Sequence, residues 1–85
     1  MAVIINSTPN PNAVKFTVGA DVGGPATFVA GGAVEDPTAA QLLAIHGVTS
    51  VFMSADFVTV SKRPDASWDA IAPTAQAILE DRFGG

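Results

Sequence analysis

The stretch from Val48 to Ser61, VTSVFMSADFVTVS, constrains the fold more than any other part of the chain. Val51 and Met53 are separated by one residue, and so are Val58 and Val60. Side chains alternate across a strand, so each pair shares one face. With a turn at Ala55-Asp56, Met53 opposes Val58 and Val51 opposes Val60. All four then point one way, while Phe52, Ser54, Phe57 and Thr59 point the other. A slip of one residue would reverse every side chain, so the burial pattern pins the register. Ala-Asp is not a favoured two-residue turn, so a longer loop from Ser54 to Phe57 is expected, with the same pairing.

Other elements follow in order. Val3, Ile4 and Ile5 are β-branched or bulky and predict a strand over 2–6. Pro9 and Pro11 interrupt it, which confines NSTPNPN to an exposed or edge segment. Val14, Phe16 and Val18 alternate with Lys15 and Thr17, predicting a strand over 13–18. GADVGGP is turn material, and ATFVA over 26–30 is expected to return as the partner of the preceding strand. Asp36-Pro37 is a helix start, because the carboxylate accepts from first-turn N–H groups and proline needs no donor there. That helix is expected to run through His46 and stop at Gly47. A second begins near Ser67. Its stripe of Trp68, Ile71, Ala72, Ala75, Ile78, Leu79 and Phe83 contains Pro73, which removes the bond to Asp69. The order β-β-β-α-β-β-α gives an α+β fold. An antiparallel sheet of about four to five strands carries both helices on one face, as one domain over 1–85.

Composition narrows the chemistry. Hydrophobic residues make up 48% of the chain, enough for a core. No apolar run approaches a membrane span, and MAVIINSTPN lacks the features of a signal peptide, so the cytoplasm is expected. The net charge is −4, with Lys15, Lys62, Arg63 and Arg82 the only cations. This argues against nucleic acid and anionic membranes as partners. There is no cysteine, which removes disulfides, thiolate catalysis and thiolate-held metal.

Four stretches, in order, resemble the Nfu/NifU-type N-terminal domain. Thr8-Pro9-Asn10-Pro11-Asn12-Ala13-Val14-Lys15-Phe16 is similar to its T-P-N-P-N-A-L-K-F opening. Asp36-Pro37 with Leu42-Leu43-Ala44-Ile45 resembles its S-P-L-A…L-F-x-I segment. Gly47-Val48-Thr49-Ser50-Val51-Phe52 and Asp56-Phe57-Val58-Thr59-Val60 resemble its hairpin. Trp68 with Pro73 resembles its D-W-x-x-L-x-P helix, with Ser67 where an acid or amide is usual. Gly19 to Glu35 departs from the pattern. In that family a second domain commonly holds a [4Fe–4S] cluster on a Cys-x-x-Cys motif. The resemblance therefore implies iron–sulfur assembly as context. The chain itself is expected to be a free-standing form that binds no cofactor directly and meets the cluster only through a partner.

Candidate partner-surface residues are Thr8, Asn10, Asn12, Lys15, Phe52 and Thr59. The first three are adaptable hydrogen-bonding groups beside prolines, or else the braces of a rigid turn. Lys15, Phe52 and Thr59 share the outer sheet face with Thr17, Ser50 and Ser61. A bare face holding an aromatic is a docking surface, or Phe52 packs on a neighbour. His46 has no partner motif, GADVGGPAT lacks phosphate-loop spacing, and Asp56, Asp65 and Asp69 suit a turn and a helix start. No catalytic or metal site is expected. The leading reading is a monomeric, non-catalytic adaptor that binds a cluster carrier or client protein. The alternative is a module binding a small anion or phosphopeptide near Lys15.

Overall fold

The alternating strands assemble around the central hairpin. The computed structural model describes residues 3–22, 24–32 and 34–83. Ala2, Gly23, Gly84 and Gly85, assigned from sequence to the first strand, a turn and the chain end, lie outside the described residues. The elements are β1 (Ile4–Ser7), β2 (Ala13–Thr17), β3 (Ala26–Val29), α1 (Pro37–Leu43), β4 (Val48–Ser54), β5 (Phe57–Lys62) and α2 (Trp68–Phe83). The five strands form one sheet in the order β1-β2-β5-β4-β3, with every neighbouring pair antiparallel.

The hairpin has the expected register, Met53 with Val58 and Val51 with Val60. Its turn is tighter than expected. Ser54 pairs with Phe57, leaving Ala55-Asp56 as a two-residue turn. Ala55 alone of the two has positive φ, at 52°, as in a type II′ turn. Local preference is overridden from outside. The N–H of Val18 donates to the Asp56 carbonyl at 2.8 Å, and the N–H of Val22 to the Ala55 carbonyl at 2.9 Å.

That clamp also explains why β3 does not pair with β2. Both edges of β2 are taken, by β1 and β5. Residues 18–22 instead bond across the hairpin tip, and the chain reaches the far side, where Ala26 pairs with Met53 and Phe28 with Val51. The expected β2–β3 hairpin is therefore absent. A bulge between Val48 and Ser50 resets the phase of β4, so that Val48 and Val51 are both buried.

Asp36 caps α1, its Oδ1 accepting from the N–H groups of Thr38 at 2.8 Å and Ala39 at 3.0 Å. The helix ends at Leu43 with Ala44 as its cap, short of the expected His46. Gly47, with φ 97°, turns the chain into β4 rather than ending the helix. Ser67 caps α2 through its Oγ, which accepts from the N–H of Asp69 at 3.2 Å. The helix runs on through Pro73 on an exposed side.

Both helices lie on one face. Ala39 and Leu42 of α1 and Ile71, Ala75 and Leu79 of α2 join Phe16, Val51, Met53, Val58 and Val60 in one buried cluster. Phe52 and Phe57 point away from that cluster and have no part in it.

Candidate functional site

The register lays the outward side chains in rows across the sheet. One row runs Asn6–Lys15–Thr59–Phe52–Thr27, a residue from each strand. The next runs Ile4–Thr17–Phe57–Ser54. Lys15, Thr59 and Phe52 are thus consecutive neighbours, which alternation within single strands does not reveal. The Phe52 and Phe57 rings lie 6.0 Å apart between centroids and tilted by 43°. The Lys15 Nζ stands 4.6 Å from the Phe57 centroid, within cation–π range. Thr17 Oγ1 donates to Asn6 Oδ1 at 3.2 Å.

All eight carboxylates, Asp21, Glu35, Asp36, Asp56, Asp65, Asp69, Glu80 and Asp81, fall outside the five strands. Among the outward-facing strand residues Lys15 is therefore the one charge, while Asp21 and Asp56 lie together at the hairpin tip beyond the Phe57 row.

Thr8, Asn10 and Asn12 are placed differently. Thr8 Oγ1 lies within hydrogen-bond distance of the Ala13 carbonyl at 2.8 Å and the Asn10 carbonyl at 2.9 Å, and accepts from the Asn10 N–H at 3.2 Å. Asn10 Oδ1 accepts from the N–H of Asn12 at 2.9 Å. Asn12 Oδ1 accepts from the buried Lys62 ammonium at 3.1 Å, and Lys62 also donates to the Arg63 carbonyl at 3.2 Å. The indole N–H of Trp68 donates to the Pro11 carbonyl at 3.0 Å. Trp68 is half-buried, packs against the core cluster and ties α2 to this loop. These contacts brace the β1–β2 loop internally.

One prediction follows for the loop. Asn12→Ala leaves the Lys62 ammonium without its side-chain acceptor and should cost ~1–3 kcal/mol. Asn10→Ala, whose bond is exposed, should cost under about 1 kcal/mol. Urea unfolding of the two variants measures the difference.

His46 lines a recess of about 300 Å³ with Arg63, Asp65, Ser67 and Ile71 among its walls. The residue types suggest a triad, but the geometry does not make one. Asp65 is held by Arg63 at 3.1 Å, and the Ser67 Oγ is occupied as a helix cap. Among the described residues no hydrogen bond joins any two of His46, Asp65 and Ser67, as nucleophile, base and orienting acid require. Among the described residues there is no group of three His, Cys, Asp or Glu placed to hold a metal ion. With no cysteine in the sequence, the donors do not suit an iron–sulfur cluster. No helix among the described residues is long and apolar enough to cross a membrane.

The fold is an antiparallel α+β sandwich with two helices on one side and a bare, acid-free sheet on the other. Residues 3–84 match the family model described as "Scaffold protein Nfu/NifU N terminal". The chain belongs to that family. It is 40% identical over 87 residues to a Drosophila erecta protein named "NFU1 iron-sulfur cluster scaffold homolog, mitochondrial", covering 98% of this chain and 31% of the relative. It is 39% identical over 86 residues to "NifU-like protein 5, mitochondrial" of Arabidopsis thaliana, with the same coverage of 98% and 31%. The chain thus spans about a third of these relatives. The crystal structure of protein SAV1430 from Staphylococcus aureus superposes with a TM-score of 0.78 at 31% identity, covering 94% of this chain and all of that one.

Proposed function

We propose that this domain is a non-catalytic adaptor in iron–sulfur cluster assembly, binding a cluster carrier or client protein through its bare sheet face. The observation that carries the reading is the row Lys15–Thr59–Phe52, whose Phe52 pairs with Phe57 in a ring contact that the core does not use, on strands that carry no carboxylate. Family membership supplies the context. The sequence supplies no thiolate, so the cluster stays on the partner. In this reading Lys15 meets a carboxylate of the partner, Phe52 and Phe57 cover apolar surface, and Thr59 adapts its hydroxyl between them. The braced loop of Thr8, Asn10 and Asn12 holds the adjoining rim in place.

Calorimetric titration with a purified [4Fe–4S]-carrying Cys-x-x-Cys domain of the family tests this. The unaltered chain should bind. Lys15→Glu and Phe52→Ala should each bind about tenfold or more weakly, since central desolvated residues carry most interface energy. Purified protein should be colourless and free of stoichiometric iron. Equal binding by all three chains would remove the face from the reading, and tightly held iron would remove the adaptor role.

A further inference from the structure

We propose that the free edge of β1 is a second docking element, which takes an extended segment of a partner protein as a sixth strand. β1 ends the sheet order, so one side of its backbone faces no strand. Among the described residues the exposed large hydrophobics are Ile4 at 58%, Ile5 at 42% and Val29 at 56%, and all three sit on the two edge strands. Ile5 opposes Phe16 and so lies on the helix side, whereas Ile4 opposes Thr17 and lies on the bare side. The edge therefore offers apolar surface above and below its own backbone.

Proteins usually blunt such edges with a charge, a proline, a bulge or a cover. The sequence IINS of β1 contains no charge and no proline, and its register with β2 is unbroken. Among the described residues, its main chain is bonded only in the ladder with β2. The opposite edge is treated differently. Pro25 removes a donor just before β3, and the Val29 carbonyl already accepts from the N–H of Gly32 at 3.1 Å. The β3 edge is thus blunted at both ends, and the β1 edge is not.

The open edge specifies its occupant. Alternating main-chain donors and acceptors are met in full only by another strand. The two isoleucines ask that strand for apolar residues at successive positions. A second copy of this chain is disfavoured. A four-residue strand pair falls well short of the roughly 1,200–2,000 Å² of a stable interface, and the remaining surfaces repel at a net charge of −4. A short, reversible addition of a partner segment suits both facts.

The test uses the ¹⁵N-labelled full chain and a short capped peptide with consecutive valines flanked by threonines, which is apolar on both faces. Saturable amide shifts are expected along Ile4–Ser7, with slowed hydrogen exchange at Ile5 and Ser7, whose N–H groups face away from β2. The same peptide N-methylated throughout keeps its apolar surface but loses its donors, and should bind at least about tenfold more weakly. Ile4→Lys/Ile5→Lys, a change confined to exposed positions, should weaken the unmodified peptide likewise while its circular dichroism stays that of the unaltered chain. Equal affinity for the two peptides would overturn the proposal. So would shifts centred on Phe52 and Phe57, no saturable shift at millimolar peptide, or sedimentation showing β1 covered by a second copy. The face reading is tested separately, by calorimetry on Lys15→Glu and Phe52→Ala, so the failure of one proposal is distinguishable from the failure of the other.

Discussion

Phe16→Ala is expected to bring the domain to the edge of unfolding, while Phe52→Ala leaves it folded. The two phenylalanines lie two strands apart in the same sheet and point to opposite faces. Phe16 is fully buried, with Val58 and Ile5 beside it on the helix side. Removing its ring loses the transfer energy and leaves a cavity, at a cost of about 3–5 kcal/mol. A domain of this size has only ~4–13 kcal/mol to lose. Phe52 is outside the core cluster and gives up mainly its contact with Phe57, about 0.5–1.5 kcal/mol. Thermal unfolding should show a fall of at least about 12 °C for the first. The second should fall by less than about half of that. Equal losses would mean that the outer face is covered and cannot serve as a docking surface.

The hairpin was legible because two-residue periodicity and burial act on the same residues. Once Val51, Met53, Val58 and Val60 must share a face, the register has one solution, and Lys15, Phe52 and Thr59 are left outside. Asp36 was legible as a cap for a similarly local reason, since one carboxylate oxygen reaches two N–H groups within its own turn. The lateral order of the outer face was not legible. That Lys15, Thr59 and Phe52 form one row depends on which strands are neighbours, and pairing between β2 and β5 joins residues at least forty positions apart, from Thr17 with Phe57 to Ala13 with Ser61.

The misread parts share a cause. The tight turn at Ala55, the bulge beside Thr49 and the side chosen by β3 are each fixed by a distant segment. Ala55 tolerates positive φ while its carbonyl is held by Val22. Thr49 sits in the bulge with its carbonyl accepting from Ala30 at 2.9 Å and its Oγ1 donating to the Ser61 carbonyl at 3.3 Å. The loop residues were ambiguous for a related reason. An asparagine beside prolines looks alike whether it waits for a partner or braces a turn, and only the Lys62 ammonium, fifty residues on, shows what Asn12 does.

Gly24→Ala should detach β3 from the sheet, at a cost of about 2–5 kcal/mol. Two terms make up that figure. Gly24 has φ 80°, where a side chain costs about 1–2 kcal/mol. An added Cβ would also stand 2.3 Å from the Met53 carbonyl oxygen and 2.8 Å from the Ala26 nitrogen. Both are backbone atoms of the pair that begins the β3–β4 ladder, so neither can yield without opening it. Forcing such an overlap costs a further ~1–3 kcal/mol. Gly31→Ala is the matched control, because Gly31 has φ 85° but nothing within 4 Å of its added Cβ. It carries the conformational term alone. Hydrogen exchange should quicken at Ala26, Phe28 and Ala30, whose N–H groups face β4, in the first variant while Val58 and Val60, in the centre of the sheet, stay protected. The difference in urea midpoint between the two variants then measures how closely the crossing chain is pressed against the hairpin. A difference near zero would mean that β3 is not seated beside Met53.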